Sequence, residues 1–283
     1  MTTDRLRLGD FDVCGLRDGF FYPDGGAMFG VVPKPLWEKK CPADAQNRIR
    51  LGLNSILIRT PAALVLVETG IGPKLDKKLR NIYCVEQDTG LVGSLTGLGF
   101  APEDVDFVIN THLHFDHCGG NTLRNDKGEV VPAFPRARYI IQKGEWEWAV
   151  HPHEREKGSY LAENFRPLAD YGLLQLVDGD SRVTEGVEVR LAPGHTARHQ
   201  LVKVSSGGHT LVYLGDLVPT SAHIGLAYGM SYDLQPLENL ENKRKLYEQA
   251  VAGGWILAFV HDPVHYFGQV RKINQKYEFL ALV

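Results

Sequence analysis

No stretch of this chain reaches the roughly 18 consecutive apolar residues that a membrane-spanning helix needs. Basic residues are not in excess either: 31 Lys and Arg stand against 34 Asp and Glu, for a formal net charge of −3. A protein that neutralises phosphates would be weighted the other way, so neither a membrane nor a nucleic acid is an expected partner. Cysteine is sparse. Cys14, Cys41, Cys84 and Cys118 lie far apart and form no CxxC pair, which argues against a thiolate zinc knot. A chain of 283 residues also carries enough apolar material to build a core without disulfides. No linker, low-complexity tract or break in composition divides the chain, so one domain over residues 1–283 is expected. Residues Met1 to Asp10 alternate charged and apolar types, unlike a signal or transit peptide, and a cytoplasmic protein is expected.

Against these absences stands histidine, present 11 times. Three of the 11 crowd into His112-x-His114-x-Asp116-His117, just after the short apolar strand expected over Phe107 to Asn110. In an extended backbone, side chains two apart point to the same side, so His112 and His114 should face one point. Asp116 and His117 follow at once, and Gly119-Gly120 lets the chain turn tightly. Three imidazoles and a carboxylate in one turn are costly to bury without a cation. The same donors suit zinc and are accepted by Mn, Fe or Co.

The remaining pattern is that of sheets covered by helices. Residues 54–60 and 63–68 read as one hairpin, and residues 200–204 and 210–214 as another. Each ends near an acidic residue, Glu68 or Asp216, an internal echo that suggests two similar sheets face to face. Gln235 to Gly253 reads as an amphipathic helix closed by Gly253-Gly254. Residues 20–51 are different, rich in Pro and Gly and holding Phe29 and Trp37 as exposed-type aromatics. This irregular segment reads as a surface wrap, a lid or a homodimer contact.

The motif His112-x-His114-x-Asp116-His117 resembles the signature of the metallo-β-lactamase superfamily. That resemblance implies an α/β fold, an αββα sandwich of two mixed β-sheets flanked by helices, with metals at one edge. It also implies three further ligands. Pro193-Gly194-His195 supplies a histidine after the strand expected over 187–191. Gly215-Asp216 supplies an aspartate, and His261 closes the apolar run from Ile256. By resemblance, His112, His114 and His195 would bind one divalent metal ion. Asp116, His117 and His261 would bind a second, with Asp216 bridging them, and zinc is the first candidate. A hydroxide held between the two ions would attack a polarised carbonyl or phosphoryl oxygen, with Asp116 and Asp216 as the catalytic carboxylates.

Departures from the family pattern are as informative. Glu68-Thr69-Gly70 stands where members usually carry Asp-Thr-Gly, and Glu68 is a candidate to orient a metal-binding histidine. Cys118 stands where many relatives carry alanine and reads as a small buried filler. Within the family, residues 111–120 and 193–200 resemble acyl-homoserine lactone lactonases and methyl-parathion-hydrolase-like enzymes. The implied function is a dinuclear hydrolase that opens a lactone or carboxylic ester. Phosphotriester hydrolysis, a hydroxyacylglutathione-type thioesterase and a single-iron sulfur dioxygenase are alternatives, and a scaffold or sensor without turnover is the non-enzyme one. The lactonases' tyrosine three residues past the bridging aspartate is Pro219 here, which leaves Tyr228 or Tyr232 to reach the site. His223, Phe29, Trp37 and Tyr228 are the expected substrate contacts. His151 and His153 mimic ligand spacing but read as solvated loop.

Overall fold

A computed structural model describes residues 4–282. Met1, Thr2 and Thr3, part of the N-terminal stretch just discussed, lie outside the described residues. Among the described residues, those up to Val177 supply nine strands: β1 (Arg5–Leu8), β2 (Phe11–Phe21), β3 (Leu51–Arg59), β4 (Leu64–Val67), β5 (Phe107–Ile109), β6 (Thr122–Arg124), β7 (Val130–Pro132), β8 (Arg138–Gln142) and β9 (Leu174–Val177). Seven of them form one sheet in the order β1-β2-β3-β4-β5-β8-β9, and β6 and β7 pair apart as a ribbon. Pairing is antiparallel from β1 to β4 and parallel from β4 to β9.

The second half adds β10 (Ser181–Thr184), β11 (Val187–Leu191), β12 (Gln200–Ser206), β13 (His209–Tyr213), β14 (Ile256–Ala258), β15 (Phe267–Ile273) and β16 (Lys276–Ala281). These form a second seven-stranded sheet in sequential order, with β13 and β14 its parallel pair. Both expected hairpins are present, one in each sheet: β3 with β4 and β12 with β13. The run toward His261 is shorter than expected. Its strand ends at Ala258, and His261 sits in the bend beyond.

The sheets meet through β-branched and aliphatic side chains. Val13, Ile56, Val65 and Ile109 of the first sheet pack with Val189, Val202, Val204 and Leu211 of the second. Helices cover the outer faces. On the first sheet lie α4 (Gly90–Gly97), α6 (Lys143–Val150) and α7 (Arg166–Asp170); Leu91, Leu95, Ala149 and Leu168 pack against Leu66, Val108, Tyr139 and Ile141. The second sheet is covered by α8 (Pro236–Gly253), which buries Leu246, Tyr247 and Ala250 against Val212 and Leu257. Pro236 starts α8 where its missing N–H costs nothing, and Gly254 ends it at φ 61°. The result is the expected αββα sandwich of two mixed sheets.

Residues 20–51 are less irregular than their composition suggests. They hold two short helices, α1 (Gly25–Phe29) and α2 (Lys34–Trp37), before the chain enters β3, and a third, α3 (Lys77–Ile82), follows β4. Phe29 and Trp37 correct the expectation of exposed aromatics, since each is 1% exposed or less. They stack face to face at 5.3 Å and join Phe21, Met28, Ile49 and Leu51 in a core cluster of their own. An apolar ring pays more in water than in this edge cluster, so the Pro-rich segment folds inward over the sheet edge.

Candidate metal centre

The sequence motif lies where β5 ends. The extended backbone expected from His112 onward is not continuous: His112 sits in a bend just beyond β5, His114 is extended, and a single helical turn, α5 (Phe115–Cys118), then carries Asp116 and His117. This geometry needs a close backbone approach at Gly119, where a Cβ would collide with the Ile71 carbonyl. Gly215 is needed in the same way. It lies at φ 49°, and a Cβ there would stand 2.5 Å from His199 Nε2. The loops after β11, β13 and β14 deliver His195, Asp216 and His261 to the same edge.

Three groups of donor atoms converge there, each within 4.8 Å: His112, His114 and His195; His112, His117 and Asp216; and Asp116, His117 and His261. His114 Nδ1 lies 3.1 Å from His112 Nε2 and 3.2 Å from His195 Nε2. One Nδ1 cannot donate to both, and three neutral imidazoles turned this way present three lone pairs to one point. A dication answers that arrangement, so the residues fit divalent metal. Asp216 divides its carboxylate between the groups. Its Oδ2 is 3.3 Å from His195 Nε2, while its Oδ1 is 3.5 Å from His117 Nε2 and 3.3 Å from His261 Nε2. Asp116 Oδ2 faces the second group, 3.5 Å from His261 Nε2.

Burial and mutual charge perturb these groups strongly. His112 is held well below its ordinary pKa by burial and then by the neighbouring imidazoles. His117 goes the other way. Burial opposes its charge, but Asp216, Asp116 and Glu68 outweigh burial and raise its pKa. Asp216 is likewise desolvated, yet His117, His195 and His261 hold its pKa far below the carboxylate range.

The outer nitrogens of the imidazoles are also held. His195 Nδ1 faces Asp233 Oδ1 at 3.1 Å, and His261 Nδ1 faces the Gly52 carbonyl at 2.9 Å. Glu68 Oε2 lies 3.4 Å from His117 Nδ1 while Oε1 accepts from the Thr111 N–H, so the longer side chain does reach a site histidine. It does so from a left-handed backbone, φ 65°. His199 accepts the Asp216 N–H on Nε2 and is pushed down to about 3 by burial and then by His195. Cys118 is fully buried, and its thiol donates to the Leu113 carbonyl.

Several of these contacts are not legible as motifs. Asp233 is 38 residues from His195. Glu145, buried on α6, accepts from Leu113 N–H, Tyr160 OH and Thr196 OH, tying the motif loop to the His195 turn. Only tertiary packing brings them in.

The cleft over the donors has a free volume of about 60 Å³. Phe21, Pro23 and Met28 from the N-terminal segment wall it together with Phe115, Tyr83 and Tyr232. Of the expected substrate contacts, none is among its lining residues. His223 is fully buried: Nδ1 is 2.7 Å from Thr220 Oγ1, Nε2 2.8 Å from the Met28 carbonyl, and its ring stacks on Phe29 at 4.3 Å. Trp37 extends that stack from below, and Tyr228 packs edge-on against Phe29. These four residues therefore brace the wall from behind. Tyr232, the other tyrosine considered, is the one that faces the cleft. His151 and His153 are exposed, as expected of a solvated loop.

Fold and donor cluster together define a metallohydrolase-type scaffold, and the family model for the metallo-β-lactamase superfamily matches residues 49–261. The chain belongs to that superfamily. It is similar to a probable metal-dependent hydrolase from Staphylococcus aureus, at 30% identity and TM-score 0.88, covering 93% of this chain and 94% of that one. An N-acyl homoserine lactonase from a Bacillus species is 32% identical over 168 residues, 55% of this chain. The match spans 60% of that lactonase's length and 64% of a Bacillus cereus lactonase's. The structure of AidC, a dizinc quorum-quenching lactonase with a product bound, shares the fold at TM-score 0.81 and 22% identity, covering 99% and 97% of the two chains.

Proposed function

We propose that the chain is a metal-dependent hydrolase that opens a lactone or carboxylic ester at a pair of divalent ions, zinc in the first instance. The observation that carries this reading is the divided carboxylate of Asp216, with one oxygen turned to each group of histidines. His112, His114 and His195 would hold one ion, and Asp116, His117 and His261 the other. When bound, such ions supply Lewis acidity and an activated water at neutral pH.

The chain's own residues do the rest. Asp216 keeps the two positions in register. Asp116 turns its carboxylate toward the cleft from α5, with 14% of the side chain exposed, and can pass a proton to the departing alkoxide. Phe21, Met28 and Phe115 exclude bulk water from the reacting carbonyl, which strengthens every charge interaction inside. Tyr232, exposed on one side at the mouth of the cleft, presents a phenol whose pKa is raised by partial desolvation and then by Tyr83 and Asp116, so it stays protonated and able to donate to a substrate oxygen. The lactonase relatives support the lactone over other esters.

The test is a metal-loaded protein assayed on a homoserine lactone, a nitrophenyl ester, a phosphotriester and lactoylglutathione. Turnover of the lactone or the ester, lost on chelation and restored by zinc, is expected. Turnover of none of the four by metal-replete protein would refute the hydrolase reading.

A further inference from the structure

One carboxylate beside the cluster has no part in the chemistry above. Glu156 lies in the loop that follows α6, between exposed residues 153–155 and 157–158, yet it is only 7% exposed itself. Its Oε1 accepts from the Trp148 indole N–H. Its Oε2 is buried with no hydrogen-bond partner and lies 3.7 Å from His114 Nε2, which is also buried and also unpartnered. His114 Nδ1 is the ring atom turned to His112 and His195, so Nε2 is the outer nitrogen. The neighbouring buried glutamate, Glu145, differs: three donors already claim its two oxygens.

We propose, on the reading of the cluster as a metal centre, that Glu156 is a positioning residue for the three-histidine position. Its carboxylate holds His114 as the Nε2–H tautomer, which leaves the Nδ1 lone pair for the metal. The chemistry of the two donors explains why a carboxylate is required. Trp148 N–H and His114 Nε2–H both need an acceptor, and Glu156 offers one oxygen to each. An amide has only one. In Glu156→Gln the indole would claim the carbonyl oxygen, and the amide NH₂ would face His114. That favours an unprotonated Nε2 and puts the proton on Nδ1, where the metal should be.

The loops make the position a unit. Arg155, next in sequence, donates to the Ser231 carbonyl at 2.7 Å. Ser231 belongs to the loop that carries Asp233, the carboxylate behind His195. The outer partners of His114 and His195 are therefore tied to each other across the cleft, whereas His117 and His261 rely on Glu68 and the Gly52 carbonyl from the first sheet. Loss of Glu156 should weaken one metal position and spare the other.

The experiment is a zinc titration of the 283-residue chain against a chromophoric chelator, for wild type, Glu156→Gln, Trp148→Phe and the double variant. In Glu156→Gln, affinity for one ion should fall about 10–100-fold while the other is unchanged. Trp148→Phe alone should bind as wild type. The double variant should regain most of the loss, because the amide oxygen is then free for His114. A purely structural defect would not be rescued by removing a tryptophan. Histidine ¹⁵N spectra of zinc-loaded wild type supply a readout that needs no variant, with His114 expected to carry its proton on Nε2. A proton on Nδ1, a Glu156→Gln protein that binds both ions normally, or a double variant no better than the single one overturns the proposal. A wild-type chain that takes up no zinc overturns the metal-centre reading itself, and this proposal with it.

Discussion

His223 offers a direct test of how burial, rather than chemistry, fixes the N-terminal segment. It is sealed between Phe29 and the loop after β13, and burial pushes its pKa down to about 4, with the nearby Lys243 acting in the same direction. The Met28 carbonyl that Nε2 faces pulls the other way, as do Asp233 and Asp216. In the unfolded chain the same imidazole titrates near 6.5. Below pH 6.5 the unfolded state therefore binds a proton that the folded state refuses, and stability falls as pH falls, until the folded pKa is reached near 4. A gap of about 2.5 units corresponds to about 3 kcal/mol. Gln in this position keeps a donor for the Met28 carbonyl but has no proton to gain.

Urea unfolding of chelator-treated wild type and His223→Gln, at pH 7 and at pH 4, isolates this group. The other buried histidines titrate in both proteins and cancel in the difference. At pH 7 the variant should be less stable by about 1–2 kcal/mol, through loss of the ring stack. By pH 4 that deficit should have vanished or reversed, since the wild type alone pays for the buried imidazole. A deficit of the same size at both pH values would refute the reasoning.

Other outcomes follow from the same geometry. Asp216→Asn should lower bound zinc, measured by elemental analysis, and reduce lactone or ester turnover by more than about 100-fold, because one carboxylate serves both donor groups. Phe29→Ala opens a cavity between Trp37 and His223 and should cost about 3–5 kcal/mol in urea unfolding, a far larger loss than an exposed aromatic would give. Chelation should lower the melting temperature, and added zinc should restore it in a concentration-dependent way; identical melting curves would mean that no ion binds the native state preferentially. Cys118, buried and with its thiol pushed well above the ordinary range by burial and then Glu68, should resist alkylation at pH 8 in the native chain and react in urea.

Much of the site was legible because its information is local. His112, His114, Asp116 and His117 sit within six residues, a spacing so short that one bend and one helical turn bring all four side chains together. The turns around His195 and Asp216 carry their glycines beside them, Gly194 and Gly215, and the two hairpins announce themselves by alternation and turn residues. His261 is legible by its order, but the apolar run before it is longer than its strand. An apolar run such as Leu257 to Val260 is equally at home in a strand or in a buried bend.

The burial of the N-terminal aromatics is not legible, for the opposite reason. Phe29 and Trp37 sit among prolines and glycines with no period to mark a buried face, and their partner His223 is almost 200 residues away. The same holds for Asp233 behind His195, Glu156 behind His114 and Tyr232 over the cleft, each isolated in its own loop. The sequence by itself determined the fold class and which histidines and aspartates could serve as donors, since those depend on backbone periodicity and on residue chemistry at short spacing. Tertiary structure alone decided which carboxylate stands behind which imidazole and which rings wall the cleft. Those choices depend on how two sheets and their loops pack, and a side chain's partner across 40 to 200 residues leaves no trace in its neighbours along the chain.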